Sequence, residues 1–329
     1  MSAQTGRWIA LGLILLAGPI AASAGDWEAL RQEAAELSKQ GKTAQAVAKA
    51  DEAVRAAEQQ FGNQHANVAS ALSALALLHA SQGGYEQAQP LYERALDIRQ
   101  QALGADDLLV GESLSRLALL HYSQQAYDKA EPLYQRALDI YERKLGPEHP
   151  EVTNILQILS VLYDLQARSA GKETLYQDVL TRRERDLGPK HPAVAAALEG
   201  LAEAHQAQGK SADAEPLLKR AITIREEATS ASHPGLAESL SRLAAVYESQ
   251  ERFADAEPLL ERAATILKTA LGPNFPGLPA LLERQSTAVR KRGDGARADA
   301  LAAEAKRIRS LLRGTAQASP AGPPTPNAR

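Results

Sequence analysis

Histidine is the residue type best suited to hold a metal or move a proton near neutral pH, and this chain has seven. Cysteine, the other common metal ligand and nucleophile, is absent from all 329 residues. The histidines fall in two series. His65, His149, His191 and His233 are spaced by 42 residues or twice that, and His79, His121 and His205 repeat the same step. Tyr163 and Tyr247 fill places in the second series. A metal needs ligands that converge on one point. Residues repeated at a fixed step instead take equivalent places in successive units, roughly 10 Å apart per stacked helix. Both series are therefore read as architecture, one in the turn before a helix and one inside it. Neither metal binding nor acid–base catalysis is expected of them.

Other patterns that carry chemistry are missing or ordinary. There is no GxSxG, HExxH, GxGxxG or GxxxxGK, hence no nucleophile elbow, zinc pair or phosphate loop. The clearest polar constellation is the heptamer ESLSRLA, at Glu112–Ala118 and again at Glu238–Ala244. It sets Glu112 four residues before Arg116 and Glu238 four before Arg242. On a helix such a pair is a staple worth about 0.2–0.5 kcal/mol. The same guanidinium groups can also hold a carboxylate or an acidic segment of a partner. Both readings stand together, and neither is catalysis. No enzyme activity, cofactor or metal is expected.

A repeat positions these residues. Gln89–Leu96 reads QPLYERAL, Glu131–Leu138 EPLYQRAL, Glu215–Ile222 EPLLKRAI and Glu257–Ala264 EPLLERAA. Pro90, Pro132, Pro216 and Pro258 keep a 42-residue register whose remaining slot holds Thr174. A turn recurs in step: LGPEHPEV from Leu145, LGPKHPAV from Leu187, SHPGL from Ser232 and LGPNFPGL from Leu271. Within one period, Val68, Leu72, Leu75 and Leu78 mark one apolar helical face. Tyr85, Ala88, Leu91, Tyr92, Ala95 and Leu96 mark a second. Nothing alternates with the period of two that a strand needs.

The breaks are marked as well. Gly41, Gly83, Gly209 and Gly293 share the slot where a left-handed residue ends the first helix. Pro150, Pro192 and Pro234 suit the first position of a helix, where a missing N–H costs nothing. The Pro90 series falls inside the second helix, at a cost of about 3 kcal/mol or more. It predicts a helix kinked near its start rather than broken.

Composition agrees. The chain is 44% hydrophobic but only 4% aromatic, with an excess of the strong helix formers alanine and leucine. With 37 basic and 40 acidic residues the net charge is -3, which favours neither nucleic acid nor an anionic membrane as partner. Without cysteine the fold holds by packing alone. Residues 1–24 read as a signal peptide: Arg7, a short apolar run from Trp8 to Ala17, and Ala22-Ser23-Ala24 before a cleavage at Gly25. A retained anchor is the alternative, but the run is shorter than the roughly 20 residues that span a bilayer. Residues 314–329 carry four prolines and no apolar period, and read as a disordered tail.

The order Leu75, Ala76, His79, Gly83, Tyr85, Ala88, Tyr92, Ala95 resembles the tetratricopeptide repeat consensus. The 42-residue period, with its LGPxHP turn and AEPLY helix, is similar to the kinesin light chain subtype. The resemblance covers Trp27 to Arg313. It implies an all-α, right-handed α-solenoid of about seven antiparallel helix pairs, with a concave groove lined by the first helix of each. Residues 25–62 form an N-terminal capping pair, with Glu33 in a leucine slot, and residues 63–313 form the tandem array. Lys172 and Val179 replace small alanines, which predicts a local change in the path of the array.

The resemblance also implies the groove lining. It takes in Ser70, Ser73 and Leu77, then Glu112, Ser115, Arg116, Leu119 and Tyr122. Asn154, Gln157, Val161 and Asp164 follow, then Glu199, Glu203 and Gln206. Glu238, Ser241, Arg242 and Glu248 come next, with Glu283, Arg284 and Arg290 last. The candidate partner-binding set is Glu112, Ser115, Arg116, Leu119, Tyr122, Asn154, Gln157, Glu238, Ser241, Arg242 and Arg284. Kinesin light chain-type repeats often place an asparagine where this chain has Ala74, Arg116, Ile158, Gly200, Arg242 and Arg284. An inherited ligand preference is therefore not expected. The function implied is an exported, non-catalytic scaffold, periplasmic or secreted, binding a peptide or protein segment in the groove. The alternative is a regulatory subunit that docks by its convex face on an envelope enzyme or transport complex. A homo-oligomer can form at an uncapped end near Leu311–Leu312.

Overall fold

The computed structural model describes residues 27–228 and 232–317. Residues 1–24, read above as a signal peptide, and residues 318–329 lie outside them. Fourteen helices and no strand occur among the described residues. They pair as α1 (Trp27–Lys39) with α2 (Thr43–Phe61), α3 (Ala66–Ser81) with α4 (Tyr85–Leu103), and α5 (Leu108–Ser123) with α6 (Tyr127–Leu145). Next come α7 (Pro150–Leu165) with α8 (Ser169–Leu187), α9 (Pro192–Ala207) with α10 (Ser211–Ala228), and α11 (Pro234–Ser249) with α12 (Phe253–Leu271). The last pair is α13 (Leu278–Lys291) with α14 (Gly295–Gln317). The first helix of a pair is called A and the second B. Helix α14 continues four residues past Arg313, into the stretch expected to be tail.

Helices α3, α5, α7, α9 and α11 each start on a side-chain cap, and this is what one histidine series does. His65, His149, His191 and His233 accept through Nδ1 from the backbone N–H two residues on, at 3.2, 3.2, 3.2 and 3.0 Å. Asp107 fills the same slot and accepts from Leu109 N at 2.8 Å. The first turn's N–H groups have no partner within the helix, so an acceptor there stabilises it. Pro150, Pro192 and Pro234 follow at the first helical position, as expected.

Each A helix also stops in one way. Gly83 N bonds Ala80 O at 3.0 Å and Gly84 N bonds His79 O at 2.9 Å, a paired closure that requires a left-handed residue. Gly41, Gly83, Gly209 and Gly293 have φ between 73 and 94°. The same slot forces Gln125, Ala167 and Glu251 to φ of 60, 53 and 58°. Pro90, Pro132, Pro216 and Pro258 lie inside continuous, unbroken helices on exposed positions. The carbonyl that loses its donor, that of Glu86 for Pro90, belongs to an exposed residue.

The helices fall into two compact units that divide between Ile140 and Tyr141, within α6. In each unit the core is built on alanine. Ala46, Ala88, Ala130, Ala214, Ala256 and Ala298 occupy one slot and are all 0% exposed. Ala53, Ala95, Ala137, Ala221, Ala263 and Ala305 repeat this in a second slot. Small side chains let helices approach closely, and leucine and tyrosine fill the space between. Lys172 takes the first slot in the second unit, yet is only 1% exposed. Glycine makes room beside it: Gly171 lies under Tyr163, and Gly200 lies under Tyr176. Val179 is buried completely in the other slot. The pair keeps both its helices.

Candidate functional site

The candidate residues line the A helices, and hydrogen bonds already engage most of their charges. In the first unit Arg116 donates to Glu112 Oε1 from Nε at 3.0 Å and from Nη2 at 2.5 Å. The other carboxylate oxygen of Glu112 is 3.5 Å from Arg99 of α4. Burial raises the pKa of Tyr92, and the charge of Arg116 beside it works the other way. Ser115 donates to Gly111 O at 3.0 Å. The apolar members differ. Leu77 is 49% exposed. Leu119 and Tyr122 are half-buried. The Tyr122 ring lies 5.5 Å from that of Tyr127, and burial raises its pKa.

In the second unit the charges form a chain. Glu238 accepts from Arg242 Nε at 2.9 Å, and Arg242 Nη1 reaches Glu203 at 2.8 Å. Glu203 also accepts from the buried Lys172 at 2.6 Å, and Lys172 holds Asp164 at 3.1 Å. Burial opposes the charged form of Glu203, but hydrogen bonds from Lys172 and Arg242 outweigh it and hold its pKa below the ordinary value. Arg284 donates to Ser241 Oγ at 2.7 Å, Ser241 O at 3.0 Å and Glu248 at 2.8 Å. Asn154 and Gln157 are exposed on α7, with Val161 at 46%. Both i,i+4 staples are thus made, and Arg242 and Arg284 are also rungs between A helices.

Two residues assigned to the groove are not there. Ser73 is buried and donates to Ala69 O at 2.8 Å. Glu199 is 6% exposed and takes a bidentate pair from Arg225 Nε and Nη2, both at 2.9 Å, with Ser239 as a third donor. Arg225, half-buried, shares its register with two buried arginines, Arg99 and Arg183. Arg99 of α4 donates to Leu109 O at 3.1 Å and Ser113 Oγ at 2.8 Å. Arg183 of α8 donates to Ala193 O at 2.9 Å and Glu142 at 2.8 Å. These arginines tie a B helix to the start of the next A helix, and their shared register was the available signal.

The glutamate before the helix proline was passed over too. Glu215 accepts from Tyr247 at 3.1 Å and Arg252 at 2.8 Å, and Glu257 from Arg292 and Arg297. These two glutamates fasten α10 and α12 to the end of the following A helix. Among the described residues no group of three or more His, Cys, Asp or Glu side chains is placed to hold a metal ion. No helix among them is long and apolar enough to cross a membrane.

Comparison with known proteins follows this geometry. One tetratricopeptide repeat family model matches residues 28–101, 173–227 and 213–269, and a second matches 110–151 and 152–193. The chain belongs to the tetratricopeptide repeat family. The first match takes in α1 and α2, the pair expected to cap the array. Solved tetratricopeptide repeat structures share the fold. A signal-transduction ATPase of Pyrococcus horikoshii with a tetratricopeptide repeat sensor is 15% identical, covering 89% of this chain and 43% of that one, with a TM-score of 0.54. The C-terminal part of a repeat protein from Cytophaga hutchinsonii is 12% identical, covering 88% and 100%, at 0.51. Kinesin light chain repeats of Podosopora anserina are 19% identical, covering 74% and 95%, at 0.42. None of the curated proteins matches the sequence.

Proposed function

We propose that this chain is an exported, non-catalytic tetratricopeptide repeat scaffold that binds a protein or peptide segment along its A helices. The observation that carries this is a set of apolar side chains on the A helices of the first unit: Leu77 of α3 is 49% exposed, and Leu119, in the equivalent slot of α5, and Tyr122 are half-buried. Tyrosine is a common anchor in protein interfaces, and exposed leucine beside it adds apolar area that a partner can bury. The arginines on the same helices are held by internal carboxylates, so the anchoring falls to the apolar members. In the second unit, α7 separately exposes Asn154, Gln157 and Val161. Export rests on Arg7, the run Trp8–Ala17 and the small residues before Gly25, and places the chain in the periplasm or outside the cell.

The test is crosslinking capture from cell-envelope extract with Leu77→Glu and Tyr122→Ala variants shown to be folded. Loss of one captured protein in both variants supports this set as the binding surface. Equal capture moves binding to the convex side of the B helices or to the tail. N-terminal sequencing of the recovered chain checks export, with Gly25 as the expected first residue.

A further inference from the structure

Taking Leu77, Leu119 and Tyr122 as the binding surface, the reading on which this rests, we infer that its occupant is the uncharged, apolar face of an amphipathic α-helix and not an extended peptide. Helix α3 is the one A helix among the described residues without an Asp, Glu, Lys or Arg. A helix that is apolar all round belongs in a core. Val68, Leu72, Leu75 and Leu78 of α3 are buried accordingly, yet Leu77 is 49% exposed. The charges on either side are already engaged. On α1, Arg31 holds Glu28 at 2.5 Å, Lys39 holds Glu36 at 2.6 Å, and Glu33 lies 4.0 Å from Lys49 of α2. On α5, Arg116 holds Glu112 at 3.0 Å. A charged segment laid on this face loses hydration and gains no free counter-charge, so an uncharged one is favoured.

Hydrogen bonding decides the backbone of the occupant. Ser70, Ser81, Ser115 and Ser123 each donate to a carbonyl of their own helix, at 3.2, 2.8, 3.0 and 2.9 Å. The amides of Gln32 and Gln82 are likewise turned to Glu28 and to Leu78 O. An extended segment presents a peptide group about every 3.3 Å, and each one taken out of water needs a partner. Tyr122 offers a single hydroxyl, too little for such a run. An α-helix makes its backbone hydrogen bonds within itself and asks only for apolar contact. The surface of α3 suits one. Ser70, Ala74, Leu77 and Ser81 follow each other along one side of the helix, small residues around a single leucine. Small side chains let a second helix lie close, with its own apolar residues packed about Leu77 and Leu119.

The probes are two labelled peptides of one composition, alanine, glutamine and leucine, each about 18 residues long. One spaces its leucines by three and four residues, the other by two. Affinity for the full chain is read by fluorescence anisotropy, and peptide helicity by circular dichroism. The helix-period probe should bind and gain helicity as it does. Leu77→Ala should weaken it about fivefold and Leu77→Glu by more, both variants being shown to be folded. Higher salt should leave its affinity unchanged, and glutamate in place of two of its leucines should abolish binding. Equal or tighter binding of the strand-period probe overturns the inference; if Leu77→Glu still weakens that probe, the binding surface itself stands. A helix-period probe that binds both variants as it binds the wild type overturns the inference and the surface together. Binding of neither probe overturns the inference and leaves the surface to the capture experiment.

Discussion

The Lys172 ammonium, buried where other repeats carry alanine, donates to Glu203 on the next A helix at 2.6 Å. The same carboxylate holds Arg242 at 2.8 Å, so one buried lysine anchors a charge chain that runs from α8 through α9 to α11. The glycines at 171 and 200 belong to the same adjustment, since they let Tyr163 and Tyr176 sit close to the backbone.

Lys172 is therefore a fixed part of its repeat and not a tolerated misfit. Lys172→Met keeps most of the stem volume and loses the charge, leaving two half-exposed carboxylates without an ammonium. It should cost about 1–2 kcal/mol. Lys172→Ala restores the residue of the other repeats but also leaves a cavity, and should cost about 2–4 kcal/mol. Urea unfolding monitored by circular dichroism checks the order. An alanine variant as stable as the wild type would mean that the slot simply prefers alanine.

Gly200 is packed against Tyr176 so closely that an added Cβ would lie 2.0 Å from Cε1 of the ring. Gly200→Ala should destabilise by about 1–3 kcal/mol through overpacking. Leu218 and Leu260 occupy the slot of Tyr176 in later repeats. Adding Tyr176→Leu should recover most of the loss, and a double mutant no better than the single one would refute the steric account.

Gln125, Ala167 and Glu251 hold left-handed backbone where four equivalent residues are glycine. A side chain there costs about 1–2 kcal/mol, and glycine returns part of this as unfolded-state entropy. Each change to glycine should raise stability by about 0.5–1 kcal/mol. A lower melting midpoint in all three variants would show that side-chain contacts outweigh the backbone strain.

Helix order, starts and closures were legible because each falls at one slot of a 42-residue register, even where Asp107 replaces a histidine and Gln125, Ala167 and Glu251 replace glycine. His-Pro starts α7, α9 and α11, glycine ends four of the A helices, and a 42-residue step keeps both in register. The internal ties were not legible, because a charged residue read alone is indistinguishable from a solvated one. Arg183 and Arg185 are two residues apart, yet the first is buried under Ala193 O and the second pairs in solvent with Asp186. Glu199 and Glu203 stand one helical turn apart, and only the first is buried. The resemblance placed both in the groove because it fixes the slot and not its depth.

His121 carries a pH dependence of its own. Burial lowers its pKa, partly offset by a hydrogen bond with Gln124, so the folded chain favours the neutral ring. Its contribution is fully present above the ordinary value of about 6.5 and is lost as the pH falls toward the depressed one. Tyr163 and Tyr247 occupy the same slot, which makes His121→Tyr a conservative replacement. The variant should lose part of the stability decline between pH 7 and 5. An unchanged profile would show that His121 releases its proton as readily folded as unfolded.

Buried and exposed ion pairs on neighbouring helices should differ sharply. Glu199 is 6% exposed and is held by two guanidinium hydrogen bonds of 2.9 Å, whereas Glu238 is exposed beside Arg242. Removing one partner of a buried pair leaves the other charge in low dielectric, at about 3–5 kcal/mol. Removing an exposed one forfeits only a staple of about 0.2–0.5 kcal/mol. Glu199→Ala should therefore lower stability by about 3 kcal/mol or more, and Glu238→Ala by no more than about 0.5 kcal/mol. Salt separates them further, because screening acts on charges that water reaches. The small effect of Glu238→Ala should vanish at 1 M salt (an ionic strength with a Debye length of about 3 Å) while that of Glu199→Ala persists. Equal losses at both sites would mean that Arg225 finds a substitute carboxylate, and the tie between α9 and α10 would then rest on packing alone.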